Sequence, residues 1–214
     1  MIEPRVKRGV GPKSKMTKAN YRKKALPHLL KDFEKHCAYC LDPSELRHPS
    51  QNHVEHFDCK LKERKRHQYV NLMLSCCTCN MCKHDKPVVN KFDPEQRLLN
   101  CTKENEFPKH IVENEKGEWK PQTAAGFYHI HAIGLNESCH VKKRLWRRNL
   151  ANSISKLYST AIQYIGHNPR ETHEAIMSET NSILASLENL PPMVTESDVM
   201  SVKDWLSQKG VKFD

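Results

Sequence analysis

Two cysteine pairs at metal-ligand spacing enclose a carboxylate that stands beside a histidine. The first pair is Cys37-Ala38-Tyr39-Cys40. The second lies in Ser75-Cys76-Cys77-Thr78-Cys79-Asn80-Met81-Cys82-Lys83, where Cys76/Cys79 and Cys79/Cys82 both have the Cys-x-x-Cys spacing. Between the pairs stand His53-Val54-Glu55-His56-Phe57 and Val70-Asn71-Leu72. These donors suit two metals with different tasks. Thiolates suit a zinc held for structure, and carboxylate and amide oxygens suit a hard divalent cation.

A structural zinc takes four soft or borderline ligands in a tetrahedron. Cys37 and Cys40 supply two of them. Spacing alone leaves the second pair open. We take Cys76 and Cys79, because that register frees Asn80 and Lys83 for chemistry just after the knuckle. Cys77 and Cys82 are then small buried hydrophobes or surface thiols. The 35 residues between Cys40 and Cys76 are long for a finger and fit a zinc that pins the start of a motif to its end. Such binding supplies roughly 10–16 kcal/mol, enough to hold a small, poorly cored motif together.

The residues between the knuckles carry the groups needed to split a phosphodiester with water. A base must activate the water, and a divalent cation offsets the charge on phosphorus and helps the leaving oxygen. Neutral histidine accepts a proton near physiological pH, so His56 can be that base. Glu55 and the amide oxygen of Asn80 qualify as ligands for magnesium or manganese. Neighbouring strand residues point to opposite sides, so a bend is expected at Glu55-His56 if both serve one centre. His53 reads as an exposed residue at the start of a strand, and His67, His84, His129 and His131 as surface histidines. Lys60, Lys62, Arg64, Lys65 and Arg66 form a basic loop beside the proposed site. We assign them, with Lys83, to nucleic-acid contact.

This pattern resembles the HNH (ββα-metal, His-Me finger) nuclease superfamily. Within it, the chain is similar to the PtuB-like HNH subunit of Septu-type and retron-associated antiphage systems. The likeness rests on Cys37-Ala-Tyr-Cys40, Val54-Glu55-His56-Phe57, Asn71-Leu72, Ser75-Cys76, Cys79-Asn80 and Lys83. Ile133-Gly134-Leu135-Asn136, followed by a helix with Arg144, extends it, so that it spans roughly residues 25–150. The resemblance implies that His56 is the general base and that Glu55 and Asn80 hold the catalytic Mg²⁺ or Mn²⁺. It implies that Asn71 braces the loop between two strands and orients the base, and that Cys37, Cys40, Cys76 and Cys79 hold zinc. Two departures stand out. The family often has a proline and a lysine after His-Phe, whereas His56-Phe57-Asp58-Cys59-Lys60 keeps only the lysine. Pro87 follows soon after Asn80, which shortens the helix expected there.

The function implied is endonuclease cleavage of nucleic acid, DNA favoured, as the effector subunit of a bacterial antiphage complex. The partners implied are an ABC/SMC-type (PtuA-like) ATPase and, in some systems, a retron reverse transcriptase with its noncoding RNA. The chain itself has no GxxxxGK[ST] loop, so nucleotide sensing would belong to another subunit. Two alternatives stand beside this. One is a zinc-stabilised nucleic-acid-binding adaptor without catalysis, and the other an RNA (tRNA) nuclease on the same motif.

Composition agrees with a polyanionic partner. The 214 residues hold 35 Lys+Arg against 25 Asp+Glu, a net charge of +10. Such an excess favours nucleic acid. Hydrophobic residues make up 37% of the chain, which allows only a modest core. No run of about 18 apolar residues exists, so no membrane span is expected. The first residues lack the apolar stretch of a secretory signal. A cytoplasmic chain with reduced cysteines is therefore expected, and there Cys-x-x-Cys more often means metal than disulfide.

The elements that must position these groups follow from periodicity. Residues 1–36 read as a basic, mobile arm followed by a helix on Tyr21, Leu26, Leu29, Leu30 and Phe33, kinked at Pro27 or beginning there. Residues 37–92 form the HNH core, with short strands near 53–57 and 70–75 and a helical turn near Cys79. Residues 93–140 read as an irregular connector with a hairpin over 111–119, given Pro94, Pro108, Gly117, Pro121, Gly126 and Gly134. Residues 141–214 read as helical. Trp146, Leu150, Ile154, Leu157, Ala161 and Ile165 make one core stripe, stopped by Gly166 and Pro169. Ile176, Ile183, Leu187 and Leu190 make a second, and a last helix carries Trp205 and Leu206, either as a docking element for the partner or as part of the chain's own helical core. The fold class expected is α+β, mainly helical, with a small zinc-stabilised ββα core, an N-terminal helix and a C-terminal helical bundle.

Overall fold

The computed structural model describes residues 6–43, 49–103, 106–163, 174–178 and 180–181. Its centre is a two-stranded antiparallel sheet. Strand β1 (Asn52–His56) pairs with the later strand β2 (Leu72–Cys76) in a register running from Asn52↔Cys76 to His56↔Leu72. Leu72 to Cys76 are all buried, so β2 is covered on both faces. A four-residue helix, α2 (Glu63–Arg66), lies in the loop between the strands. Helix α3 (Cys77–Lys83) follows β2 without a linker. The sulfur of Cys76 accepts the Cys79 amide and so caps that helix.

Helix α1 (Tyr21–Asp32) covers the sheet. Tyr21, Ala25 and Leu29 repeat every four residues and form its buried stripe, which Phe33 continues. The helix runs through Pro27 and does not begin at it. The described part of the N-terminal arm, from residue 6, is also built in. The guanidinium of Arg8 lies over the rings of Phe33 and Tyr69 and donates to the carbonyls of Tyr69 (2.8 Å) and Leu72 (2.9 Å). This corrects the reading of a free arm: Arg8 straps residues 6–12 across β2.

The connector is ordered rather than irregular. It contains α4 (Glu106–His110), the hairpin β3 (Ile111–Glu113) and β4 (Trp119–Pro121), and α5 (Ala124–Ile133). The residues that looked like breakers have other jobs. Gly134, at φ +69°, ends α5 in the left-handed conformation that suits glycine. A Cβ on Gly126 would stand 2.1 Å from the His110 carbonyl, so glycine there lets α5 close on α4. Helix α6 (Ser138–Gln163) starts before the boundary expected at 141. Its stripe is only partly a core: Trp146, Leu150 and Leu157 are half-buried and Ile154 is exposed. Gly166, Pro169, most of the second stripe, and Trp205 with Leu206 lie outside the described residues.

The described residues therefore form a mixed α/β structure with small two-stranded sheets and moderate helix content. Among them, no helix is long and apolar enough to cross a membrane.

His129, expected at the surface, is fully buried in α5. Its Nδ1 accepts the Leu99 amide at 3.1 Å, and Phe107 meets its ring edge-on. Burial lowers its pKa to about 4. The unfolded chain takes up this proton near pH 6.5, so between there and pH 4 the unfolded state binds more protons and stability falls as pH falls. Urea unfolding should show that His129→Asn, whose amide oxygen can still accept from Leu99, loses up to about 2 kcal/mol less than wild type between pH 7 and 5.

Candidate metal centre and active site

The first knuckle is pinned directly to β2. The Ala38 amide donates to the Leu74 carbonyl at 2.7 Å, and the Cys37 amide donates to the Asp42 backbone carbonyl at 2.9 Å. Leu41 then turns the chain at φ +60°, a strained conformation for a branched residue. The result is a buried cluster. The sulfurs of Cys37, Cys40, Cys76 and Cys79 all lie within 4.8 Å of one another. Cys40 and Cys76 are 3.8 Å apart. A zinc tetrahedron with Zn–S near 2.3 Å has edges of ~3.8 Å, so these four cysteines can hold a structural ion such as zinc. Backbone amides point at the sulfurs, Cys76 to Cys37 at 3.3 Å and Cys79 to Cys76 at 3.4 Å. Burial pushes the Cys40 and Cys79 thiols well above their usual range, so a bound metal is what would keep them as thiolates. Cys77 and Cys82 are half-exposed and outside the cluster.

Glu55 projects from β1 into the interior, where it is 6% exposed. The ammonium of Lys83 meets one carboxylate oxygen at 2.5 Å, and the Tyr39 hydroxyl donates to the other. Lys83 also donates to the His56 carbonyl at 2.9 Å and is fully buried. Its assignment to nucleic-acid contact is therefore wrong. Cys79 and Lys83 are four residues apart on α3 and share its buried face, where Glu55 meets the ammonium. Burial raises Glu55 to about 7, against the downward pull of Lys83 and Tyr39.

His56 ends β1 in a nest of rings. Tyr21 and His67 have their centroids 4.8 and 5.0 Å from it, and its Nε2 lies 3.0 Å from Nδ1 of His67. Burial, then the nearby His67, Arg66, Lys83 and Arg22, lower its pKa to about 4. His56 is thus neutral at physiological pH and able to accept a proton. His67, read as a surface residue, is buried against it. Asn71 is buried at the far end of the inter-strand loop. Its oxygen accepts the Asp58 amide, and its nitrogen donates to the carbonyls of Asp58 and Arg66.

A cavity of roughly 410 Å³ runs along this edge of the sheet, lined among others by His53, Glu55, His56, Asn80 and His84. The bend expected at Glu55-His56 is absent, because β1 stays in register through His56. The cavity reaches both residues because it follows the strand edge. Asn80 meets Nδ1 of His53 at 3.0 Å, so His53 belongs to the site rather than to an exposed strand start. Lys60, Lys62, Arg64 and Lys65 are exposed beside the cavity residue Cys59, while Arg66 turns back onto the Leu61 carbonyl.

The cavity donors fit a divalent cation by type. Asn80 offers an amide oxygen once its amide is turned, and His53 offers an imidazole. Glu55 keeps lone pairs beyond those taken by Lys83 and Tyr39. The Lys83 ammonium beside Glu55 lowers the negative charge available, which makes such a site weak. Among the described residues, the groups of three or more His, Cys, Asp or Glu side chains whose ligand atoms lie within 4.8 Å of one another are the four cysteines and Cys40, Asp42 and His140.

Comparisons with protein-family profiles, curated proteins and solved structures find no match. Sequence reasoning missed Tyr39, His67 and the burial of Lys83. The four-residue offset of Lys83 from Cys79 was a usable signal for the last. Nothing in the loop sequence marked His67.

Two outcomes test this geometry. Cys37→Ser and Cys79→Ser should yield unfolded or insoluble protein, Cys82→Ser should fold, and elemental analysis should find about one zinc per chain. Lys83→Met should cost roughly 3–5 kcal/mol of stability, since it leaves Glu55 buried without its partner, and should leave nucleic-acid affinity of the folded fraction unchanged.

Proposed function

We propose that the chain is a metal-dependent endonuclease of the HNH type. The observation that carries this reading is the cavity at β1 and α3. It brings a neutral histidine, a carboxylate and an asparagine together beside a loop braced by Asn71 and pinned by a four-cysteine centre. His56 takes the proton of the attacking water. His67 shares the hydrogen bond at Nε2 of His56 and so fixes which ring nitrogen is free. Asn71 holds the loop from which His67 projects, and Tyr21 closes over both rings. A divalent cation bound by Asn80 and Glu55, with His53 beside them, would supply charge stabilisation at phosphorus and at the leaving oxygen.

The exposed cations Lys60, Lys62, Arg64 and Lys65 take the phosphate backbone next to the cavity. DNA is the favoured substrate. This preference rests on the likeness to PtuB-like subunits, as do the antiphage role, the ATPase partner and the link to a retron reverse transcriptase. A cytoplasmic site of action is part of the proposal.

The decisive experiment incubates labelled DNA and RNA with the protein, with and without its genomic neighbour, in Mg²⁺, Mn²⁺ and EDTA. Cleavage should need the divalent ion. His56→Ala should lower the rate by at least about 10²-fold while zinc content and binding persist. Binding without cleavage under every condition would instead establish the adaptor, and cleavage confined to RNA would establish the RNA nuclease. Neutralising Lys60, Lys62, Arg64 and Lys65 together should weaken binding and flatten its salt dependence. On duplex DNA the slope should fall by about 0.9 for each phosphate that these side chains neutralise in the wild type.

A further inference from the structure

The four-cysteine centre has a neighbour from far along the chain. His140, in the first turn of α6, is 3% exposed, and its Nε2 lies 3.9 Å from the sulfur of Cys79. A donor atom of the same ring lies within 4.8 Å of those of Cys40 and Asp42. Its Nδ1 is buried without a hydrogen-bond partner. A histidine placed so tightly, with one ring nitrogen left unpaired, must gain something at the other nitrogen.

The residues that follow it share its face. His140, Lys143 and Arg147 recur at three and then four residues, so one stripe of α6 presents them together. Lys143 lies 3.7 Å from one oxygen of Asp42, and Arg147 donates to the other. Arg147 also reaches the carbonyl of Leu41 at 3.3 Å, the residue held at positive φ just after the first knuckle. The stripe therefore offers one N–H and two cations to a knuckle that carries a carboxylate.

Zinc held by four thiolates is a buried dianion, and a buried charge is expensive unless it is paired or hydrogen-bonded. We infer that His140 belongs to the metal centre: its Nε2–H donates to the Cys79 thiolate, and through it the metal-loaded centre docks the C-terminal helix. The His140–Lys143–Arg147 stripe then compensates the charge that zinc and its thiolates place beside Asp42. Metal binding and helix docking become linked, so filling the centre tightens the seating of α6 that Lys143 and Arg147 begin at Asp42. Neutral imidazole has a single N–H. Placing it on Nδ1 would bury an unpaired donor and aim a lone pair at the sulfur, so the Nε2–H tautomer is the one that fits. His140 acts here as a positioning residue, one shell out from the metal.

The test uses the full, zinc-loaded chain and does not depend on cleavage. His140→Leu keeps bulk but removes the N–H, and His140→Gln restores a donor. Zinc release to a chelator should be roughly ten- to hundred-fold faster in His140→Leu and return most of the way in His140→Gln. Hydrogen exchange over residues 138–148 should rise in His140→Leu, and in wild type on metal removal. Wild-type release and protection in His140→Leu would overturn the inference, as would a His140→Gln variant as impaired as His140→Leu. If neither variant folds, wild type loaded with cadmium-113 decides. A scalar coupling between the metal and the His140 ring proton, with the proton on Nε2, supports the inference, and a proton on Nδ1 with no coupling refutes it.

Discussion

Four buried thiols lie where three parts of the chain meet. Cys37 and Cys40 come from the turn after α1, Cys76 ends β2, and Cys79 belongs to the first turn of α3. The sheet they anchor has only two strands, and an isolated pair of strands is marginal in water. A metal in this cluster supplies stabilisation that so small a sheet cannot gather from burial. It also fixes the position of α3 on β2, and that position sets where Asn80 and Lys83 sit. The placement of these side chains thus depends on the cluster through one short helix.

Within that frame, polar groups are buried in matched sets. Glu55 is held by Lys83 and Tyr39, His56 by His67 under Tyr21, and Asp42 by Arg147 and Lys143. Each set joins segments that are remote in sequence, and each is costly to break, because the survivor would remain desolvated. Buried polar sets of this kind specify one arrangement more sharply than a small apolar core can, and here they surround the residues on which the proposed chemistry rests. The cost falls on flexibility. Glu55 and Lys83 are tied to each other, so the cation binding proposed for the cavity would depend on the same ion pair.

Much of the centre of the molecule was legible before the fold was known. The Cys-x-x-Cys spacings marked the cluster, and the choice of Cys76 with Cys79 matches the sulfurs that converge. The short strands and the helix after them followed from breakers and periodicity over only a few residues. The connector was not legible. Gly126 and Gly134 have the composition of a loop, yet one admits a close helix contact and the other ends a helix, and local sequence cannot tell these roles apart. Lys83, His67 and His129 were misplaced for a related reason. Burial of a polar side chain depends on a partner, and those partners come from other segments.

By itself the sequence determined the groups available for chemistry and the local geometry that short-range forces impose. Ligand spacing within a knuckle, the alternation of a strand and the four-residue repeat of α1 all act over a few residues, so they are written locally. Tertiary structure decided which groups meet. It took Lys83 out of solvent and gave it to Glu55, set His67 against His56, drew His53 to Asn80, and brought His140 beside a cysteine 61 residues away. Those pairings rest on desolvation and on long-range packing, whose energies depend on the whole fold and leave no periodic trace in the chain.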